Sequence, residues 1–328
     1  SLYCAVAKSR NYRESLMKDI SWWWTDFTGD EASRLTNAIN QGHISQGSVA
    51  MEFEQRVGEL LDVPYVVATT NGSTALLMAL IAAGVGPDDE VIVPNRSWIA
   101  TAHAPLILGA RVALVDVESD STRIDPETIE KKITSRTKVI LPVHLNGRSA
   151  GMDEINRLGR KYGLTVIEDA AQAFYSRNST GYLGTQSFAG CFSMALGKLI
   201  STGQGGFVVT NDESTYKTLK AMRSHGLTDV IDVTYNTRPG FNFKFTDIHA
   251  SIGLAQLDKL PTSIARVNKI HEKYLNAMQD LPFLTLLPVD VGVGGIPIYN
   301  EVLCPQRKKL IQYLESKNIQ ARPFAPDL

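Results

Sequence analysis

Residues 191–210 read CFSMALGKLISTGQGGFVVT: an apolar run ending at Ser193, a turn, one lysine, a glycine-rich turn and a β-type run, GFVVT. A lysine held by tight turns between two buried strands has restricted solvation, which lowers its pKa and frees the amine to attack an aldehyde or ketone. Taken alone, Lys198 reads first as an ordinary loop lysine, since most lysines are solvated surface groups.

The segment upstream changes that weighting. Residues 164–169, LTVIED, form a short apolar run of strand type that ends in two carboxylates and is followed by Ala170-Ala171-Gln172-Ala173. An acid at the carboxyl end of a buried strand lies where open α/β sheets place ligands. Such an acid suits one demand in particular: holding a proton on a pyridine nitrogen, so that the ring can act as an electron sink. Pyridoxal phosphate needs this lysine, this acid and a phosphate cradle.

Reading outward, seven β-type runs recur: YVVAT (65–69), EVIVP (90–94), RVALVDV (111–117), KVILPV (138–143), LTVIED (164–169), CFSM (191–194) and GFVVT (206–210). Helical patterns such as STALLMALIAAG and DEINRLGRKYG separate the earlier ones. Strands alternating with helices imply right-handed βαβ units, a mostly parallel sheet and helices on both faces. The expected fold is therefore α/β, three-layered, with a mostly parallel seven-stranded sheet. From Pro261 to Gln279 a long helical pattern leads to FLTLLPV, IPIYNEVLC and a helix over Gln306–Lys317, which together read as a smaller α+β domain.

The first run enters Thr69-Thr70-Asn71-Gly72-Ser73-Thr74, where a helix begins. Unpaired amides and the positive end of the helix dipole make this a phosphate site, although an N-cap by Ser73 or Thr74 explains the motif as well. Dinucleotide and P-loop glycine patterns are absent. Trp98, just past the second run, can lie flat over a planar ring or simply pack in the core. His144 and Asn146 in VHLNG (143–147) stand at another strand end, where His144 taken alone reads first as a structural histidine.

Composition narrows the class. The 328 residues are 44% hydrophobic and 20% charged, with formal net charge −1, so nothing favours nucleic acid or an anionic membrane surface. Cys4, Cys191 and Cys304 are too widely spaced for a disulfide framework or a metal site, and a reducing cytoplasm is the default. No run approaches a membrane span in length, and a soluble protein is expected. Residues 1–29 read as an N-terminal segment in which Trp22-Trp23-Trp24 must pack against the body, a partner subunit or a substrate. Two helical patterns follow over 29–61, split by QGHISQGS.

Six motifs, in order, resemble the DegT/DnrJ/EryC1/StrS family of pyridoxal-phosphate-dependent sugar aminotransferases. They are Asn71-Gly72-Ser73-Thr74-Ala75-Leu76; Pro94-Asn95 with Trp98; Val143-His144-Leu145-Asn146-Gly147; Glu168-Asp169-Ala170-Ala171-Gln172-Ala173; Phe192-Ser193 to Lys198; and Gly240-Phe241-Asn242-Phe243 with Thr246-Asp247. The resemblance covers roughly residues 30–328 and implies fold type I of the pyridoxal-phosphate enzymes. It divides the chain into a large cofactor-binding domain, 30–260, and a small domain, 261–328, that stops short of the family's C-terminal elements.

The resemblance implies that Lys198 forms the Schiff base and shuttles the proton, while Asp169 pairs with the pyridinium nitrogen. Gln172 would contact the phenolic oxygen, Gly72, Ser73, Thr74 and Ser193 the phosphate, and Trp98 the ring face. A phosphate contact from a second subunit, through Asn242 or Lys244, implies a homodimer with shared active sites. His144, Asn146 and His225 are the candidate substrate contacts. The implied reaction is a ping-pong transfer from glutamate or glutamine to a keto sugar, expected to be nucleotide-linked. An aminocyclitol aminotransferase, a sugar dehydratase and a non-catalytic regulatory protein are the alternatives. The dehydratases of this family replace the lysine with histidine, so Lys198 argues against that one. Arg148, Gly151 and Gln204 depart from the family's usual residues.

Overall fold

The computed structural model describes residues 20–118, 121–227, 238–324 and 328. Cys4 and most of the N-terminal segment lie outside the described residues, as does Pro326-Asp327.

The seven β-type runs all become strands of one sheet: β1 (Tyr65–Thr69), β2 (Glu90–Pro94), β3 (Arg111–Val115), β4 (Thr137–Ile140), β5 (Thr165–Asp169), β8 (Ala189–Ser193) and β9 (Gly206–Thr210). Two short strands, β6 (Arg177–Asn178) and β7 (Gly181–Tyr182), pair separately between β5 and β8. The sheet order is β1-β9-β8-β5-β4-β2-β3. β9 pairs antiparallel with both β1 and β8, and the remaining pairings are parallel. The mostly parallel sheet expected from the sequence is thus present, with β9 as the one reversed strand.

That sheet is covered on both sides, which is why its central strands are Val- and Ile-rich rather than alternating. Helices α1 (Glu31–Asn40) and α2 (Ser48–Leu61) precede β1, and α3 (Gly72–Ala82) follows it. Next come α4 (Ala100–Ile107), α5 (Pro126–Lys132), α6 (Met152–Tyr162), α7 (Glu213–Arg223) and α8 (Asp247–Asp258). The period-two geometry of β8 and β9 sends successive side chains to opposite faces. Phe192 and Phe207 stack at 4.7 Å and meet Phe53 of α2 and Phe245, whereas Cys191 and Val208 join Ala75, Leu76 and Ala79 of α3.

The C-terminal residues follow a long helix, α9 (Leu260–Met278), and comprise the short antiparallel pair β10 (Thr285–Leu286) and β11 (Val302–Leu303) and helix α10 (Arg307–Glu315). Two buried side chains tie them to the sheet. The Asn146 amide clasps the Tyr299 backbone from both sides, with Nδ2 donating to the carbonyl at 2.8 Å and Oδ1 accepting the N–H at 2.8 Å. Arg148, a departure from the family pattern, forms a buried ion pair with Glu301, which also accepts a 2.9 Å hydrogen bond from Asn146.

Removing one member of a buried ion pair strands the other charge. Arg148→Ala is expected to lower unfolding stability by about 3–5 kcal/mol, read as a shifted urea midpoint of the cofactor-free protein. A midpoint unchanged from wild type would show that Glu301 does not depend on it.

Candidate active site

The carboxyl ends of the parallel strands and the start of the reversed strand β9 lie along one edge of the sheet. The connection from β8 to β9 therefore stays at that edge, and it carries Lys198. Its amine lies 6.0 Å from the centre of the Tyr299 ring. Burial lowers the Lys198 pKa to about 8; the Asp169 carboxylate pulls it back up and the Arg322 cation pushes it further down.

Asp169 ends β5 and is almost wholly buried. Burial pushes its carboxyl pKa up, against the downward pull of Thr101, the Ala171 amide, Lys198 and His144. Thr101 Oγ1 donates to Oδ2 at 2.8 Å and the Ala171 N–H to Oδ1 at 3.1 Å. Ser97 Oγ lies 2.7 Å from Thr101 Oγ1, so the turn entering α4 holds the donor in place.

The cradle forms where α3 begins. Asn71 caps the helix, accepting from the Thr74 amide at 2.9 Å and from its hydroxyl at 2.8 Å. Both polar groups of Thr74 are thereby committed, so Thr74 shapes the turn. The amides of Gly72 and Ser73, having no turn before them, are the helix donors left over. A methyl group at Gly72 would stand 2.8 Å from Ser193 Cβ, and one at Gly206 would stand 2.5 Å from the Asn71 carbonyl carbon. The two glycines let the ends of β8 and β9 press against the helix start, which puts the Ser193 hydroxyl beside its free amides.

Of the other expected residues, Gln172 spends Oε1 on the Asn146 N–H at 3.1 Å, which leaves its Nε2 to donate. Trp98 is 57% exposed beyond β2. Lys244 donates to Asn242 at 3.2 Å, and backbone bridges Ser224↔Asn242 and Thr69↔Lys244 hold that segment at the end of β1. His225 is exposed at a positive-φ position, beside residues outside those described.

Two expected substrate contacts are spent inside the protein. His144 is fully buried: Nδ1 accepts from the Ala150 N–H at 3.0 Å, which places the ring proton on Nε2, 2.8 Å from Glu168 Oε2. Glu168 also accepts from the Gly184 and Gln186 amides and the Ser187 hydroxyl. Asn146 is equally committed to Tyr299 and Glu301, so neither side chain has a polar atom left for a substrate.

Thr101, Tyr299 and Arg322 are site residues that the strand-end reading does not reach. The signal for Thr101 is present, a hydroxyl one helical turn after Ser97. Tyr299 and Arg322 carry no local signal, because only the tertiary fold brings them to Lys198.

The residues fit pyridoxal phosphate. Asp169, held by one hydroxyl and one amide, is a desolvated carboxyl suited to a pyridinium N–H, and Gly72, having no Cβ, lets the Ser193 hydroxyl close on the free helix start where a phosphate would bind. Fold and site together define a pyridoxal-phosphate-dependent aminotransferase of fold type I. The chain belongs to the DegT/DnrJ/EryC1/StrS aminotransferase family, whose model matches residues 26–328. It is 34% identical over 306 residues to GDP-perosamine synthase of Caulobacter vibrioides, covering 90% of this chain and 81% of that protein. Among solved structures, DesV of S. venezuelae is 29% identical with a TM-score of 0.84, over 89% of this chain and 78% of its own. GDP-4-keto-6-deoxy-D-mannose-3-dehydratase of E. coli, solved with bound hydrated pyridoxal phosphate, is 26% identical with a TM-score of 0.86, over 94% and 85%.

Because the Lys198 amine is held near 8 rather than at a solvated lysine's 10.5, its neutral form grows as pH rises to about 8 and then saturates. The rate at which cofactor-free protein captures pyridoxal phosphate should rise about tenfold per pH unit below that point and level off above it. A rise continuing to pH 10 in a stopped-flow absorbance series would show an unshifted lysine. Gly72→Ala should weaken cofactor retention by about tenfold or more, because the Cβ displaces Ser193.

Proposed function

We propose that this chain transfers an amino group from glutamate or glutamine to a keto sugar carried on a nucleoside diphosphate. The observation that carries this reading is the buried Lys198 amine, lowered in pKa and in electrostatic contact with the buried Asp169 carboxyl, beside the free helix start of α3. The names of its relatives, a GDP-perosamine synthase and a dehydratase of a GDP-linked keto sugar, support a nucleotide sugar as acceptor.

Pyridoxal phosphate, when bound, supplies an electron sink that stabilises negative charge on the carbon losing its proton. The Gly72 and Ser73 amides and the Ser193 hydroxyl hold the phosphate, adding a helix terminus to hydrogen bonds. Asp169 would pair with the ring N–H, and Thr101 and the Ala171 amide keep its carboxyl aimed. Gln172 Nε2, left free to donate, would meet the phenolic oxygen, and Trp98 would cover the ring face. Lys198 Nζ takes the proton from the donor's α-carbon in the first half-reaction and returns one to the sugar carbon in the second. The segment from Gly240 to Asp247, with Asn242 and Lys244, reaches the partner's phosphate in a homodimer. Residues 261–328 form a smaller domain that shapes the cleft, and the enzyme works in the cytoplasm, where its widely spaced cysteines stay reduced.

Absorption spectra of the holoprotein test this directly. Adding glutamate or glutamine should bleach the visible cofactor band, and a nucleotide-linked keto sugar should restore it. Lys198→Ala should lose turnover by at least about a thousandfold while still binding pyridoxal phosphate. A visible band that no amino donor changes would overturn the reading.

A further inference from the structure

The two ends of the described chain meet over the lysine loop. Ile20 pairs with the backbone after α10, its N–H donating to the Asn318 carbonyl at 2.8 Å and its carbonyl accepting from the Gln320 N–H at 2.8 Å. This register delivers Trp22 to Arg322, whose guanidinium carbon lies 3.5 Å from the ring centre. On the lysine side, a methyl group at Gly197 would stand 3.3 Å from Trp23 Cβ, 3.7 Å from the Tyr299 hydroxyl and 3.9 Å from the Trp22 ring. Phe324 packs on Tyr299 at 5.0 Å and fixes the tail just past Arg322. Trp22 and Trp23 thus rest on the loop beside Lys198, whereas Trp24 is 63% exposed.

Arg322 is accessible, and among the described residues no carboxylate lies within ion-pair distance of it. A guanidinium lying face-on over an aromatic ring keeps its N–H donors at its edge, arranged as a fork that matches a planar or tetrahedral oxyanion. We propose that Arg322, backed by Trp22, is an oxyanion-binding subsite beside the Lys198 loop, taking an anionic group of a reactant. The inference rests on the aminotransferase reading above, in which both reactants are anions: the amino donor carries an α-carboxylate and the acceptor a diphosphate. The field of Arg322 reaches the Lys198 amine, so an anion seated there is in electrostatic contact with the reacting nitrogen. Stacking removes rotamer freedom from the arginine before the ligand arrives, which lowers the ordering cost of binding.

The test compares wild-type holoprotein with Arg322→Gln and Arg322→Lys. One arm follows bleaching of the cofactor band by L-glutamate and by its α-amide, isoglutamine. The other measures GDP, UDP and dTDP binding by calorimetry. If the α-carboxylate is the ligand, Arg322→Gln should raise half-saturating glutamate by about ten- to a hundredfold and leave isoglutamine unchanged. If the diphosphate is the ligand, nucleotide binding should weaken by a similar factor while glutamate is unaffected. Arg322→Lys should fall between, keeping the charge without the fork, and Trp22→Leu should shift the same reactant in the same direction. Unchanged constants in both arms, or an equal loss for glutamate and isoglutamine with a lowered melting temperature, would overturn the subsite while wild-type bleaching left the aminotransferase reading intact. A wild-type protein that neither bleaches with any donor nor binds a nucleotide would remove both.

Discussion

Lys198 and Asp169 are ionisable groups placed where ionisation is costly, and each is shifted toward its neutral form by burial while the other pulls it back. Neither could be buried alone: an isolated desolvated charge would cost several kcal/mol, and the group would simply neutralise. Held as a pair they stay responsive, the amine near the pH at which it is both nucleophilic and able to accept a proton. Thr101 and the Ala171 amide make the carboxylate tolerable without neutralising it. A cationic ring nitrogen arriving at Asp169 therefore removes a cost that the fold has already met.

The reversed strand is what allows this pair to form. Were β9 parallel, its start would lie at the opposite edge of the sheet and the chain after β8 would need a crossover to reach it. Because β9 runs back beside β8, residues 194–205 form one compact connection at the ligand edge, and Lys198 cannot leave it. The same reversal brings Gly206 against Asn71 and Ser193 against Gly72, so the lysine loop and the start of α3 are held together by these two close contacts. Phe192 and Phe207 stack directly beneath, on the α2 and α8 side, and give that contact a rigid floor.

Most of the sheet was legible in the sequence because most of its strands are short apolar runs buried on both faces, with the edge strand β3 more exposed, and such runs stand out from amphipathic helices. Lys198, Asp169, Ser193 and the Gly72 turn were legible for a related reason: each sits at a strand end or helix start, where local pattern and ligand position coincide. His144 and Asn146 also sit at a strand end, yet their neighbours are spent on Glu168, Ala150, Tyr299 and Glu301, which only the three-dimensional partners reveal. Tyr299, Arg322 and Trp22 fail in the opposite sense. They approach Lys198 through chain segments far apart in sequence, and no periodicity records a meeting between residue 22 and residue 322. The tryptophan cluster announced a need for partners but not which ring would find one.

The far wall of the pocket depends on a support that is itself costly to build. Tyr299 reaches Lys198 only because the Asn146 amide grips its backbone from both sides, and Asn146 does so from a left-handed backbone conformation that an asparagine tolerates better than most residues. Glu301 and Arg148 fix the orientation of that amide: with Glu301 accepting from Nδ2, a rotation exchanging its oxygen and nitrogen would break three hydrogen bonds at once. The same Asn146 donates its backbone N–H to Gln172 Oε1, so Tyr299 and the Gln172 amide are held from one residue. Arg148 joins this arrangement from outside it, bonding Glu301, the Pro288 and Leu145 carbonyls and the Thr122 hydroxyl, so the hold on Tyr299 and Gln172 is anchored in the same cluster.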